Sequence, residues 1–521
     1  MAGLPEHLSA LLKAQAYPHP VSHVQLVQTH MSWVLLTGEY AYKIKRPVRY
    51  PFVDLRSAER REFFCAEELR LNRRFAGDLY VEVSEITALQ GEASIAGKGE
   101  VIEHAVRMRQ FERRNELDRL LADGRMSPPE LDSFGRDLAM IHGRLPIARD
   151  SQAWGRPEAS RKVLLENLEE CLEAGTPLGT VDVVRALRPP LAARVAALEP
   201  WLEARWQGGR VRECHGDLHS RNVVRYGGQL VAFDSVEFEP AFRWIDVADD
   251  VAFLMMDLGA RQFPFHAQAF RGGYLAHSGD FEACRVLALY QAHRALVRAK
   301  VTALEAGATG GVDREAALEQ HRTYLDYAGQ QLSDERPKML LMFGLSGCGK
   351  TWLAERLAPV LRAVHIRSDL ERKRLAGLAE RQRSDSALEQ GIYSPGSSAR
   401  VYERLAECTD HALAGGCTVI LDAAFHRRKD RMHVRSQAAR RGVALQLIHC
   451  HAPRHVLEAR IGRRARSGSD ASEADLAVLK WQEEYLEPIS DEEGFAVIDA
   501  DTTRPEVVAE VLAGVAGTGR D

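Results

Sequence analysis

The chain is predicted to hold two folds in tandem: an α+β domain over residues 1–332 and an α/β domain with a parallel sheet over 338–521, joined by a linker at 333–337. Three observations carry this. At 521 residues the chain exceeds the ~250 to 300 at which a single core stops growing. The segment Ser333–Pro337 (SDERP) is charged, ends in proline and is followed at once by the apolar run Met339–Phe343. Upstream, a hairpin, a helix and further strands give way to long helices, whereas downstream strands alternate with helices, as in a parallel sheet.

The elements follow in order. Trp33–Leu36 and Tyr40–Lys45 alternate around Thr37-Gly38-Glu39, a β-hairpin. A helix is expected over roughly Ser57 to Phe75, then strands ending near Phe111, then helices to about Arg205. Short strands surround HGDLHSRNVV and QLVAFDSVEF, and helices return from Phe281 to Leu332, interrupted near Ala306–Gly311. Beyond the linker, Thr418–Leu421 and Val443–His449 read as strands between helices.

Composition excludes several classes. Apolar residues at 45% and charged residues at 27% match a globular chain rather than a disordered one. The 69 basic and 73 acidic residues nearly cancel, so no global field recruits nucleic acid or anionic membrane. Eight scattered cysteines, never spaced C-x-x-C, argue against a disulfide framework or a zinc knuckle. The amino terminus lacks a basic segment followed by an apolar one, and no apolar run approaches the ~18 residues a span needs, so a cytoplasmic protein is expected.

Gly344, Leu345, Ser346, Gly347, Cys348, Gly349, Lys350 and Thr351 form the pattern G-x-x-x-x-G-K-T between an apolar strand and a helix. Such a loop suits ATP because glycines let successive N–H groups wrap a phosphate at the positive end of the helix. Lys350 is then placed to meet the β/γ-phosphates and Thr351 to hold Mg2+. Asp369 follows about twenty residues later, where a carboxylate can accept an acceptor hydroxyl's proton or simply cap a helix. Asp422 ends the strand TVILD and suits the metal side. Arg454, Arg460, Arg463, Arg464 and Arg466 concentrate positive charge; Arg460 and Arg464 are the candidates for a phosphate-closing lid.

Together, GLSGCGKT, the D-x-x-R of Asp369 and Arg372, the strand ending in Asp422 and the arginine cluster resemble the small P-loop kinases related to gluconate kinase, zeta toxins and the kinase part of polynucleotide kinase. The resemblance covers Gly344 to Tyr485. It implies a hydroxyl acceptor, with Arg372 on the acceptor side, and leaves sugar, nucleotide and nucleic-acid end open.

A second constellation lies upstream. His215-Gly-Asp217-Leu-His-Ser-Arg-Asn222 has the spacing H-x-D-x-x-x-x-N, and Asp234 ends the strand LVAFD twelve residues on. Asp217 can accept a hydroxyl proton, while Asn222 and Asp234 supply oxygen ligands to Mg2+. With HGD and FDS, the segment resembles the aminoglycoside phosphotransferase and choline kinase branch of the protein-kinase-like fold, over roughly residues 20 to 330. That resemblance implies that Lys43 of YAYK faces the α/β-phosphates, with Lys45 on the same strand face as the alternative. It further implies that Glu68, in preference to Glu67, is the partner carboxylate, and that adenine sits near Met108–Phe111. One departure stands out. Gln28–Ser32, where a phosphate-wrapping turn belongs, has no glycine, so either side chains such as Ser32 substitute or nucleotide binding by this lobe is weak.

Other features carry less. His449-Cys450-His451 reads as a strand end, since strand neighbours face opposite ways. Cys214 is not needed as a nucleophile, and Asp246 is expected to anchor the metal loop. The expectation is an ATP- and Mg2+-dependent phosphotransferase with two kinase modules acting on small-molecule hydroxyls. The rivals are an N-terminal ligand sensor governing the P-loop domain and a nucleic-acid end kinase.

Overall fold

The computed structural model describes the chain except for residues 1–3, 51, 150–153, 309–310, 334–335, 381, 385, 387–389, 468–471 and 518–521. Parts of the 333–337 linker, of the break near Ala306–Gly311 and of the SDASEAD stretch after the arginine cluster therefore lie outside the described residues. Two compact units emerge. One comprises Met1–Glu130, Met140–Glu166 and Leu202–Asp257; the other comprises Leu131–Ala139, Asn167–Trp201 and Leu258–Asp521. Among the described residues no helix is long and apolar enough to cross a membrane.

The first unit is built on a six-stranded antiparallel sheet. Its order is Gln25–Gln28, Ser32–Leu36, Tyr40–Lys45, Glu100–Arg109, Tyr80–Leu89, Glu92–Ile95. The Leu36–Tyr40 turn closes where Gly38 takes φ +99° and the Thr37 hydroxyl donates to the Tyr40 carbonyl at 2.7 Å. Helix Ala58–Ala76 begins at Ser57, whose side chain accepts from the Arg60 amide, and packs Cys65, Glu68 and Leu71 inward. Beyond the sheet, the hairpin Val223–Tyr226 with Gln229–Ala232 and the pair Val211–Glu213 with Trp244–Asp246 frame two loops. Those loops carry Asp217, Asn222 and Asp234.

The second unit contains a five-stranded, fully parallel sheet ordered Val364–Arg367, Val419–Asp422, Lys338–Phe343, Ala444–His451, Ala496–Asp501. Leu340, Met342, Ile420 and Ile448 on one face are completely buried against Leu353 and Leu357 of helix Lys350–Val360 and Val507 and Val511 of helix Val507–Gly517. Each such aliphatic side chain stabilises the fold by about 1.5 to 3 kcal/mol. The loop after the central strand therefore emerges at the carboxyl edge of the sheet, where ligands of open α/β folds bind.

Candidate active sites

In the first unit Lys43 and Lys45, two apart on one strand, face the same side. Both reach Glu68: Lys43 Nζ donates to Oε1 at 2.8 Å and Lys45 Nζ to Oε2 at 2.5 Å. Lys43 also pairs with Asp234, and Lys45 with Glu237. Glu67 instead pairs with Arg70. Burial works against the charge on Lys43, yet Asp234 and Glu68 outweigh it and hold its pKa well above the ordinary lysine range. Burial likewise opposes ionisation of Glu68, but the two lysines pull its pKa down to about 2. Both lysines and Glu68 are thus compensated, which is the condition under which such buried charges are tolerated, whereas burial outweighs Lys45 at Glu237 and raises the Glu237 pKa.

The loop from His215 to Asn222 is fixed from below. The amides of His215 and Gly216 donate to the two oxygens of Asp250, each at 2.9 Å, and the Ser220 amide donates to Asp257 at 2.9 Å. The His215 ring reaches the Phe233 carbonyl at 2.9 Å, tying this loop to the residue before Asp234. Gly216 has φ +85°, and a Cβ there would sit 2.6 Å from the Phe242 carbonyl oxygen. Asn222 Nδ2 donates to Asp217 Oδ2 and to the Asp217 carbonyl, each at 3.0 Å, so the amide oxygen is what Asn222 can offer a cation. Asp234 adopts φ +63°, unusual outside glycine, and its amide donates to the Tyr80 hydroxyl at 3.1 Å. Carboxylate and amide oxygens of Asp217, Asn222 and Asp234 suit a hard cation such as Mg2+.

Two expectations are corrected. Ser32 is only 1% exposed on its strand, so it cannot replace a phosphate-wrapping turn. The turn is closed by Thr29, whose hydroxyl accepts the Ser32 amide at 2.9 Å. Asp246 grips Arg205, with its oxygens 2.6 and 2.8 Å from the guanidinium, and Asp250 takes the loop-anchoring position.

In the second unit Gly344, Gly347 and Gly349 have φ of +139°, +83° and +94°. A Cβ at Gly344 would lie 2.2 Å from the Cys450 carbonyl oxygen, so the loop is shaped for glycine by its floor as well as its dihedrals. Lys350 Nζ donates to the carbonyls of Gly344 at 2.8 Å and Leu345 at 3.0 Å, folding over the loop. Thr351 donates to Asp422 Oδ2 at 2.7 Å, and His365 Nε2 lies 3.2 Å from the same oxygen. Burial raises the pKa of Asp422, but His365, Arg367 and Thr351 bring it down to about 2, leaving a carboxylate beside the threonine hydroxyl. The Ser346 amide donates to Gln482 Oε1 at 2.7 Å, a contact absent from the sequence reading.

A cavity of about 780 Å³ joins the loop residues to Asp369, Arg372, Asp422, Arg460 and Arg464. Arg372 donates to the Ile392 carbonyl at 2.9 Å and stacks 5.0 Å over Tyr393. Arg460 donates to Thr502 Oγ1 at 2.8 Å and to the Gly347 carbonyl at 3.3 Å, tying its helix to the loop, while Arg464 holds the Ala474 carbonyl. The glycine cradle fits a triphosphate, and the Thr351–Asp422 oxygen pair fits a divalent cation, whose charge when bound would neutralise transferring phosphate.

These two sites define a chain with two nucleotide-using kinase-type domains. Residues 35–287 match the family described as phosphotransferase enzyme family, and residues 339–489 match an AAA domain family. The chain is 30% identical over 464 residues, 88% of its length, to uncharacterized proteins of Mycobacterium tuberculosis and Mycobacterium bovis, and covers 91% of each. It belongs to the same family as these proteins, and in this chain the phosphotransferase match precedes the AAA-domain match. A choline/ethanolamine kinase family protein from Mesorhizobium loti is 13% identical, with 60% of this chain and 94% of that one covered and a TM-score of 0.33. A gluconokinase from Sinorhizobium meliloti is 23% identical, with 35% and 94% covered and a TM-score of 0.25.

Proposed function

We propose that this chain is an ATP- and Mg2+-dependent, cytoplasmic phosphotransferase whose two modules each move a γ-phosphoryl group to the hydroxyl of a small molecule. What carries the reading is the shared cavity of the second unit, which puts Lys350, Thr351, Asp422 and Asp369 around one space. There Asp369 accepts the acceptor proton, Lys350 and the loop amides hold the phosphates, and Arg372, Arg460 and Arg464 counter charge on the transferred group and acceptor. In the N-terminal module Asp217 takes the base role, Lys43 held by Glu68 meets the phosphates, and Asn222 and Asp234 hold the metal. The domain division at 333–337 belongs to the same proposal.

A second reading keeps the N-terminal domain as a non-catalytic ligand sensor. The glycine-free turn at Thr29–Met31 favours it, because backbone wrapping of phosphates is unavailable there. Mg2+-dependent ATP consumption in Lys350→Ala that disappears on adding Asp217→Asn supports two active modules. Loss of all consumption with Lys350→Ala alone supports the sensor.

A further inference from the structure

The glycine loop has a neighbour that the phosphate-binding pattern does not include. Ser346, third residue of G-x-x-x-x-G-K-T, donates its amide to Gln482 Oε1, 2.7 Å away on helix Leu476–Tyr485. A backbone amide has one hydrogen, so Gln482 and a phosphate oxygen compete for it. Lys350 differs. Its ammonium donates to the Gly344 and Leu345 carbonyls at 2.8 and 3.0 Å, but it carries three hydrogens on a rotatable group and can add a phosphate without giving up both.

Gln482 is placed for an exchange of partners. Its side chain lines the cavity shared by Lys350, Thr351 and Asp369, yet the residue is only 7% exposed, so bulk water competes little for the contact. The backbone beneath it is fixed. The Gln482 carbonyl accepts the Leu486 amide at 2.8 Å, Leu479 is buried in the core of the parallel sheet, and Glu483 pairs with Arg454 at 3.2 Å. What can move is the carboxamide. Val478 and Tyr485, four residues before and three after, line the cavity on the same helix face, so a released amide turns along that wall. A phosphate oxygen is charged and the amide oxygen is not, so the phosphate makes the stronger bond to the Ser346 N–H and displaces its rival.

We propose that Gln482 is a competing residue of the nucleotide site: its amide oxygen holds the Ser346 N–H that a triphosphate requires, and nucleotide binding turns it into the cavity. This rests on the reading of the Lys350 loop as a nucleotide site. The contact lowers nucleotide affinity, so removing it tightens binding, the opposite sign from losing an ordinary ligand contact or a structural brace.

The test is calorimetric titration of the full-length protein with Mg2+ and a non-hydrolysable ATP analogue, following the binding component that Lys350→Ala abolishes. Gln482→Met keeps the length of the side chain without the amide oxygen, and should lower the dissociation constant about threefold or more, the net effect of one hydrogen bond between neutral groups. Gln482→Glu places a charge on the competing oxygen and should raise the constant at least tenfold. Thermal unfolding checks that the variants are folded, and Gln482→Ala replaces the methionine variant if that one is not. Binding that is unchanged or weaker without the amide oxygen, or not weakened by Gln482→Glu, overturns the proposal. Absence of any binding component sensitive to Lys350→Ala would instead overturn the reading of the loop beneath it.

Discussion

Thr351 and Asp422 are joined by a 2.7 Å hydrogen bond between the first turn of the P-loop helix and the end of the neighbouring parallel strand. The bond explains why a strand-end carboxylate and a loop hydroxyl, 71 residues apart, act as one pair: the sheet register sets Met342 beside Asp422, and the loop returns Thr351 to it. Asp422→Asn keeps the shape and removes the charge. It should raise the Mg2+ concentration for half-maximal turnover of the C-terminal module by about tenfold or more, measured by phosphate transfer across a metal series. An unchanged metal requirement would remove Asp422 from the metal side.

Glu68 compensates two buried lysines at once. Glu68→Ala leaves Lys43 and Lys45 short of a partner inside the fold, so a loss of about 3 to 5 kcal/mol is expected by denaturant unfolding. By contrast Asp217 is 40% exposed in its side chain. Asp217→Asn should change stability by less than about 1 kcal/mol while ending transfer by its module.

Gly216 is held at φ +85° beneath the Phe242 carbonyl. Gly216→Ala should destabilise by at least about 1 to 3 kcal/mol and lower N-terminal activity, because the Asp250 bonds that shape the loop must shift. Activity indistinguishable from the parent would show that the close approach does not constrain the loop.

His426 supplies a pH dependence with a defined sign. Its folded pKa of about 4 lies below the ordinary histidine value of ~6.5. Between those values the unfolded chain binds a proton that the folded chain refuses, so stability falls as pH drops through this window and is unaffected above it. In His426→Gln the slope of unfolding midpoint against pH from 6.5 to 4 should be shallower than in the parent. Parallel slopes would contradict the assigned protonation.

Both nucleotide loops were legible in the sequence because their information is local. Glycine spacing, a preceding apolar strand and a following helix declare Gly344–Thr351, and H-x-D-x-x-x-x-N declares His215–Asn222. Lys43 and Glu68 were within reach through the resemblance, which assigns a lysine to the hairpin strand and a carboxylate to the helix after it. The supports were not. Asp250, on helix Val247–Ala260, holds the His215–Asn222 loop, while Asp246 ends the preceding strand Trp244–Asp246 and grips Arg205. Gln482 reaches Ser346 across 136 residues, and no local pattern marks it. His426 and Arg427, which follow the left-handed Phe425, line the cavity, and no local pattern in the sequence marks them. Ser32 failed as a substitute for glycine because it is buried, although strand alternation puts it on the face of the half-buried Val34 and Leu36.

The central claim is that two separate phosphotransferase sites work in one chain. The most direct measurement is Mg2+-dependent γ-phosphoryl transfer from labelled ATP into a metabolite extract by four proteins: parent, Asp217→Asn, Asp369→Asn and the double variant. The account predicts that each single variant loses a different set of labelled products while retaining the other, and that the double variant loses both. Identical product sets in the two single variants, or products that persist in the double variant, would contradict it.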